Sequence, residues 1–150
     1  MSRLPRHLEH LKTGFTAEAV SAARFRAFAE QAEGEGKANL ARRWRRLAEE
    51  KDGLAILQLR AAGKVQTDDR NLREAIAEEQ YENDVLYPRL VAEMEYLGQA
   101  EERTLLERIL DEQRGHLAGL DELRRELTGA RGDVAEGRPA GVVGAGVGAK

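Results

Sequence analysis

Residues Asn71–Leu90, NLREAIAEEQYENDVLYPRL, decide the fold. Leu72, Ile76, Leu86 and Leu90 recur at the three- and four-residue spacings of one helix face. Glu79 and Glu82 fall on the same apolar stripe, at i and i+3. The stretch therefore predicts a core-facing helix that turns two carboxylates inward. Thr67 and Asp68 are its N-terminal caps and Gly98 its stop. Pro88 removes a backbone donor and should bend or bulge the helix past its middle.

Three more segments read the same way. A first helix is expected from caps at Thr13 and Thr16 to about Gly34, a second from Lys37 to Ala62, and a fourth from Ala100 to Thr128. Short loops make neighbours antiparallel, so the fold class is all-α, an antiparallel four-helix bundle. Residues 1–12 read as an N-terminal extension, 13–128 as the bundle, and 129–150 as a flexible tail, since seven of the fifteen glycines lie there without a helical period.

Composition agrees: 34% of residues are charged and only 5% aromatic, and strong helix formers dominate. A net charge of −3 gives no basic excess to neutralise phosphates, so nucleic acid is not an expected partner. No window approaches the roughly 20 apolar residues of a membrane span. The opening MSRLPRHLEHLKTG lacks the apolar run of a secretory signal, and the expected compartment is the cytoplasm. The chain has no cysteine, which leaves Glu, Asp and His as the metal-ligand types.

Every helix carries a polar residue on its apolar stripe. The first reads Phe15, Glu18, Ala22, Phe25, Phe28, Ala32; the second Leu40, Trp44, Leu47, Lys51, Leu54, Leu57; the fourth Leu106, Ile109, Gln113, His116, Leu120, Leu123. One such group can snorkel to solvent, but three carboxylates at similar depth need protons, cationic side chains or a metal. A faint internal repeat accompanies them. Glu18 to Glu79 is an offset of 61, whereas Gly36 to Gly98, Lys51 to Gln113 and Leu54 to His116 are offsets of 62, as if the second copy had gained one residue.

The order of these residues resembles the rubrerythrin branch of the ferritin-like proteins. The similarity is clearest in Asn71–Leu90, around Glu-x-x-Glu and the Tyr87-Pro88 pair, and extends to ARFRAFAEQAEGEG at Ala23–Gly36; it covers about residues 13 to 128. Such proteins hold two irons through Glu, Glu-x-x-His, Glu-x-x-Glu and Glu-x-x-His on successive helices. The resemblance implies Glu18, Glu79, Glu82 and His116 as metal ligands. It also exposes departures: Lys51 stands where Glu is expected, Leu54 where His is, Gln113 where Glu is, and Phe25 where a Tyr is common. The matched carboxylates sum to −3 and Lys51 returns +1, so one divalent cation, iron or another metal, balances the remaining −2, with Lys51 as a charge substitute for the second. With His116 protonated, a metal-free Glu–Lys–His–Gln network is the rival. Glu112 could replace Gln113, and Glu50 or Asp52 could rotate in if the second helix were irregular near Gly53.

The chemistry the resemblance implies is peroxide reduction or ferrous iron oxidation, with electrons from a rubredoxin-like centre. This chain, lacking cysteine, would need an external electron donor, and no residue is assigned a catalytic role. The second reading is a non-catalytic interaction or scaffold bundle with a metal-free polar core. His7 and His10 read as solvated groups on the extension. Arg42, Arg43, Arg45 and Arg46 around Trp44 read as a solvated face with Glu49 and Glu50 at i+4. Ile56, Leu59 and Leu105 are the candidate surface of a homodimer.

Overall fold

The structure is a computed structural model and describes residues 5–129 and 133–135. The chain divides into two compact units, Met1–Gln66 and Thr67–Lys150. The first holds α1 (Arg6–Gly34) and α2 (Ala38–Ala61). The second holds α3 (Asp68–Tyr81), a π-helical turn (Glu82–Leu86), α4 (Tyr87–Tyr96) and α5 (Ala100–Leu127). Because α3, the π turn and α4 run on without a break, the described residues form four long helices and no strand. The expected tail falls mostly at 130–132 and 136–150, outside the described residues.

Glycine sets the helix ends. After α1, Gly36 takes φ 75°, its N–H reaches Glu33 O and the Lys37 N–H reaches Ala32 O at 2.8 Å. That pair of bonds satisfies carbonyls the helix leaves orphaned, and the left-handed residue between them is one that Cβ-bearing residues disfavour. The same motif closes α2 at Gly63 and α4 at Gly98.

The start of α1 differs from expectation. The helix begins at Arg6, with Pro5 as N-cap, so most of the supposed extension is helical and carries His7 and His10 on its exposed surface. Thr13 is no cap; its hydroxyl donates to Glu9 O within the helix. The physical reason is that Leu8 and Leu11, half-buried, continue the stripe of Phe15 and Glu18 by another two turns. Pro5 has a φ of −52°, already suited to entering a helix.

Within the first unit, α1 and α2 meet along a seam of small residues. Ala22, Ala29 and Ala32 from α1 and Ala41, Ala48 and Ala55 from α2 are its buried positions, the α2 set recurring every seventh residue. Short side chains let two backbones approach closely, and a Cβ at Gly14 would collide with the Gln58 amide. Leu40, Leu47, Leu54 and Leu57, expected inside, are instead exposed. They lie beside the alanines on a wide apolar arc, and the close approach selects the smaller residue of each pair. Phe25, Phe28 and Trp44 pack at ring-centroid distances of 5.1–6.1 Å near the loop end of the hairpin, contacts worth about 0.5–1.5 kcal/mol each.

Within the second unit, Ile76 and Leu110 are the buried apolar residues; Ile109, expected on the stripe, is half-buried. The π turn lies where Pro88 predicts a disruption. Proline cannot donate to the carbonyl four residues back, and its ring crowds that carbonyl. One residue earlier, the Tyr87 N–H bonds Glu82 O, a five-residue step that absorbs the conflict inside a continuous helix.

Candidate metal centre

In the first unit, Glu18 on α1 and Lys51 on α2 face each other. Lys51 Nζ lies 2.7 Å from Glu18 Oε2, with side chains 33% and 23% exposed. Glu18 Oε2 is buried and has no hydrogen bond of good geometry, so charge proximity to the ammonium is what balances it. Leu54, one turn further on, offers no donor atom and is exposed. The flanking acids are occupied: Asp52 pairs with Arg26, and Glu50 with Arg46 at 3.6 Å. Since α2 is regular through Gly53, neither acid rotates inward.

In the second unit, Glu79 and Glu82 are half-buried on either side of the junction between α3 and the π turn. Gln113 of α5 donates from Nε2 to Glu82 Oε2 at 2.6 Å, and its Oε1 lies 3.1 Å from Nδ1 of the exposed His116. Glu79 Oε2 is buried with no hydrogen-bond partner. Glu112 is turned elsewhere, pairing with Arg108 at 3.3 Å, so Gln113 and not Glu112 meets the cluster. Asn83 is the residue the sequence reading missed. It is only 6% exposed and donates from Nδ2 to the Gln113 carbonyl at 3.5 Å. Its signal was available: a polar residue next to Glu82, one turn before a helix-breaking proline.

The other candidates have ordinary roles. Phe25 packs on Phe28 and Trp44. Arg45 pairs with Glu33 across the hairpin, not with Glu49, while Arg46 takes Glu50 at i+4 as expected. Ile56 and Leu105 are exposed and Leu59 is half-buried. No described helix is long and apolar enough to cross a membrane.

The Rubrerythrin family model matches residues 54–124. Over that span the chain is rubrerythrin-like, and the match is consistent with a ferritin-like protein. Its four long helices are the helical complement of that fold. The matched span begins at Leu54, so it takes in Glu79, Glu82, Gln113 and His116 and leaves out Glu18 and Lys51. A search of curated proteins gives no match.

Proteins of this family usually bind iron. The donor set here does not fit two irons. An ammonium neutralises Glu18, Leu54 cannot ligate, and the amide of Gln113 presents N–H to Glu82, where a second ligand oxygen would be required. Among the described residues, no three His, Asp or Glu side chains converge as a ready-made metal group. The second unit nonetheless keeps the donor types a single hard or borderline divalent cation takes: two carboxylates, one with an unpartnered buried oxygen, and an imidazole.

Proposed function

We propose that this chain is a rubrerythrin-like metal-binding protein that takes one divalent cation through Glu79, Glu82 and His116 and lacks the two-iron reaction. The observation that carries the proposal is the paired internal substitution: Lys51 on Glu18, and Gln113 on Glu82. Each places a protein N–H group against a carboxylate, and together they leave Glu79 as the carboxylate of the three whose buried oxygen has neither a hydrogen bond nor a cationic side chain paired with it among the described residues. A cation held there would supply a single positive centre, able to polarise a bound oxygen ligand. Glu79 and Glu82 would neutralise it, and His116 would complete the set from the solvent side. Two-electron cleavage of peroxide at paired metals has no second metal in this donor set, so neither peroxide reduction nor ferrous iron oxidation is assigned to the wild-type chain. Exposed Ile56 and Leu105 are proposed to pair two copies into a homodimer.

The scaffold reading has its own support. Glu82, Gln113 and His116 already form a continuous hydrogen-bonded chain that needs no ion. Elemental mass spectrometry after loading with Fe(II), Mn(II) or Zn(II) separates the two. About one metal per chain, with no aerobic oxidation of added Fe(II), is the expected result; no retained metal leaves the scaffold reading. A Lys51→Glu, Leu54→His double variant tests the alignment and should raise iron to two per chain. Unchanged iron content would mean that Lys51 and Leu54 do not stand at ligand positions.

A further inference from the structure

Two rows of residues recur at every seventh position along α2. Ala41, Ala48 and Ala55 are buried in the seam with α1, whereas Leu40, Leu47 and Leu54 are 44%, 42% and 46% exposed. Exposure that even leaves the leucine row open along its whole length. A seven-residue apolar repeat keeps to one side of a helix and packs layer by layer against a second helix of the same spacing. The charges on α2 select that second helix. Four arginines, Arg42, Arg43, Arg45 and Arg46, precede Leu47, and three acids, Glu49, Glu50 and Asp52, follow it. Lys51, among the acids, is turned to Glu18 at 2.7 Å. A second α2 running parallel would set arginines against arginines. Running antiparallel about a two-fold axis at Leu47, it sets each basic block against the partner's acidic block. The same axis brings Leu40, seven residues before Leu47, to the partner's Leu54, seven residues after it. Arg43 and Glu50 lie four residues before and three after Leu47; at about 100° per residue both fall on the same edge of the leucine row, so each meets the other's copy across the axis. Arg43 enters no salt bridge among the described residues. Glu50 has only a loose contact with Arg46, at 3.6 Å with both side chains exposed.

We infer that a second copy of this chain covers the leucine row, α2 against α2 and antiparallel, with Leu47 on the two-fold axis and Arg43 paired with the partner's Glu50 on either side of it. One helix face is a small interface, so the pairing is reversible and grows with concentration. It is separate from the pairing proposed through Ile56 and Leu105. Ile56, nine residues from Leu47, lies about half a turn around α2, on its opposite side.

The test uses the full chain at high micromolar concentration, with mass read by sedimentation equilibrium and helix content by circular dichroism to show that each variant is folded. Wild type should self-associate; a strict monomer means that the leucine row is covered within the chain and overturns the inference. Leu47→Glu sets two carboxylates face to face on the axis and should weaken association at least about 10-fold. Unchanged association overturns it. Arg43→Glu and Glu50→Arg each create like-charge contacts on both sides of the axis and should weaken association by about 10-fold, whereas the double variant restores opposite charges and should associate as wild type does. A double variant as weak as the singles overturns the antiparallel register. Because the chain has no cysteine, Leu47→Cys gives an unambiguous probe: it should form a disulfide-linked dimer under mild oxidation, and no crosslink at a concentration where the chain associates overturns the position of the axis. Ile56→Glu with Leu105→Glu should leave that crosslink in place. If this pair of changes abolishes association and Leu47→Glu does not, the α2 surface is overturned and the pairing through Ile56 and Leu105 stands.

Discussion

Lys51→Met isolates what the ammonium does in the first hairpin. A fully exposed ion pair contributes about 0.2–1 kcal/mol, and breaking a fully buried one costs about 3–5 kcal/mol. The Glu18–Lys51 pair, with side chains 23% and 33% exposed, lies between these limits, so about 2 kcal/mol is expected for removing the cation alone. The two single changes should differ. Without Lys51, Glu18 is left with a buried oxygen on a short stem. Without Glu18, the long lysine can swing its ammonium to water, so Glu18→Leu should lose only about 1 kcal/mol. Removing both charges in Glu18→Leu, Lys51→Met should return to within about 1 kcal/mol of wild type. Urea titration followed by far-UV circular dichroism reads all four proteins, and with a slope of about 2 kcal/mol per molar the Lys51→Met midpoint falls by about 1 M. A coupling energy below about 0.5 kcal/mol would place this pair among solvent-screened surface contacts. It would refute the claim that Lys51 stands in for a core cation.

Three further outcomes test the packing and the charges. Gly115→Ala and Gly119→Ala lie inside α5 with nothing within 4 Å of a new Cβ, so each should stabilise the chain by about 0.5–1 kcal/mol in the same urea assay. Ala48→Leu overfills the closed α1–α2 seam and should lose about 1–3 kcal/mol; exchanging its exposed neighbour, Leu47→Ala, should lose less than about 1 kcal/mol. At the end of α1, hydrogen bonds from Lys37 and then Gln31 hold the Glu35 carboxyl below the usual glutamate range. Because that folded-state value is depressed, the contribution is complete above the unfolded value and drains away as pH falls through the folded one. Glu35→Gln should therefore lower stability slightly at neutral pH and not in strong acid, as urea midpoints at the two pH values will show.

Much of this was legible in the chain because glycine punctuates it. Gly36, Gly63 and Gly98 mark the ends of α1, α2 and α4, and the helix limits from Gly34 onward fall within about a residue of those read from the sequence. The start of α1 was not legible from caps alone, since Thr13 and Thr16 have the chemistry of caps and Leu8 and Leu11 outweigh it. The α1–α2 seam was misread for a different reason. Leu40, Leu47 and Leu54 repeat every seven residues, and so do Ala41, Ala48 and Ala55; periodicity cannot say which set faces the neighbour. At the site, the types of residue were readable and their pairing was not. The offset of the repeat matches Glu18 with Glu79 and Lys51 with Gln113, yet Gln113 bonds Glu82. The phase of a helix across a π turn depends on where that turn falls, and Pro88 signals only that one must exist.

The π turn also bears on ancestry. Between Glu79 and Gly98 the spacing of the two half-chains grows from 61 to 62 residues, and Glu82–Leu86, one residue wider than an α turn, lies in that interval. The gained residue thus has an address. If the halves descend from a duplicated hairpin, the first copy kept an acid–base couple, Glu18 with Lys51, while the second slid its acid one turn and exchanged an ion pair for an amide relay. The two copies would then have diverged by a single codon as much as by substitution, and relatives that lack the extra residue should retain the older pairing.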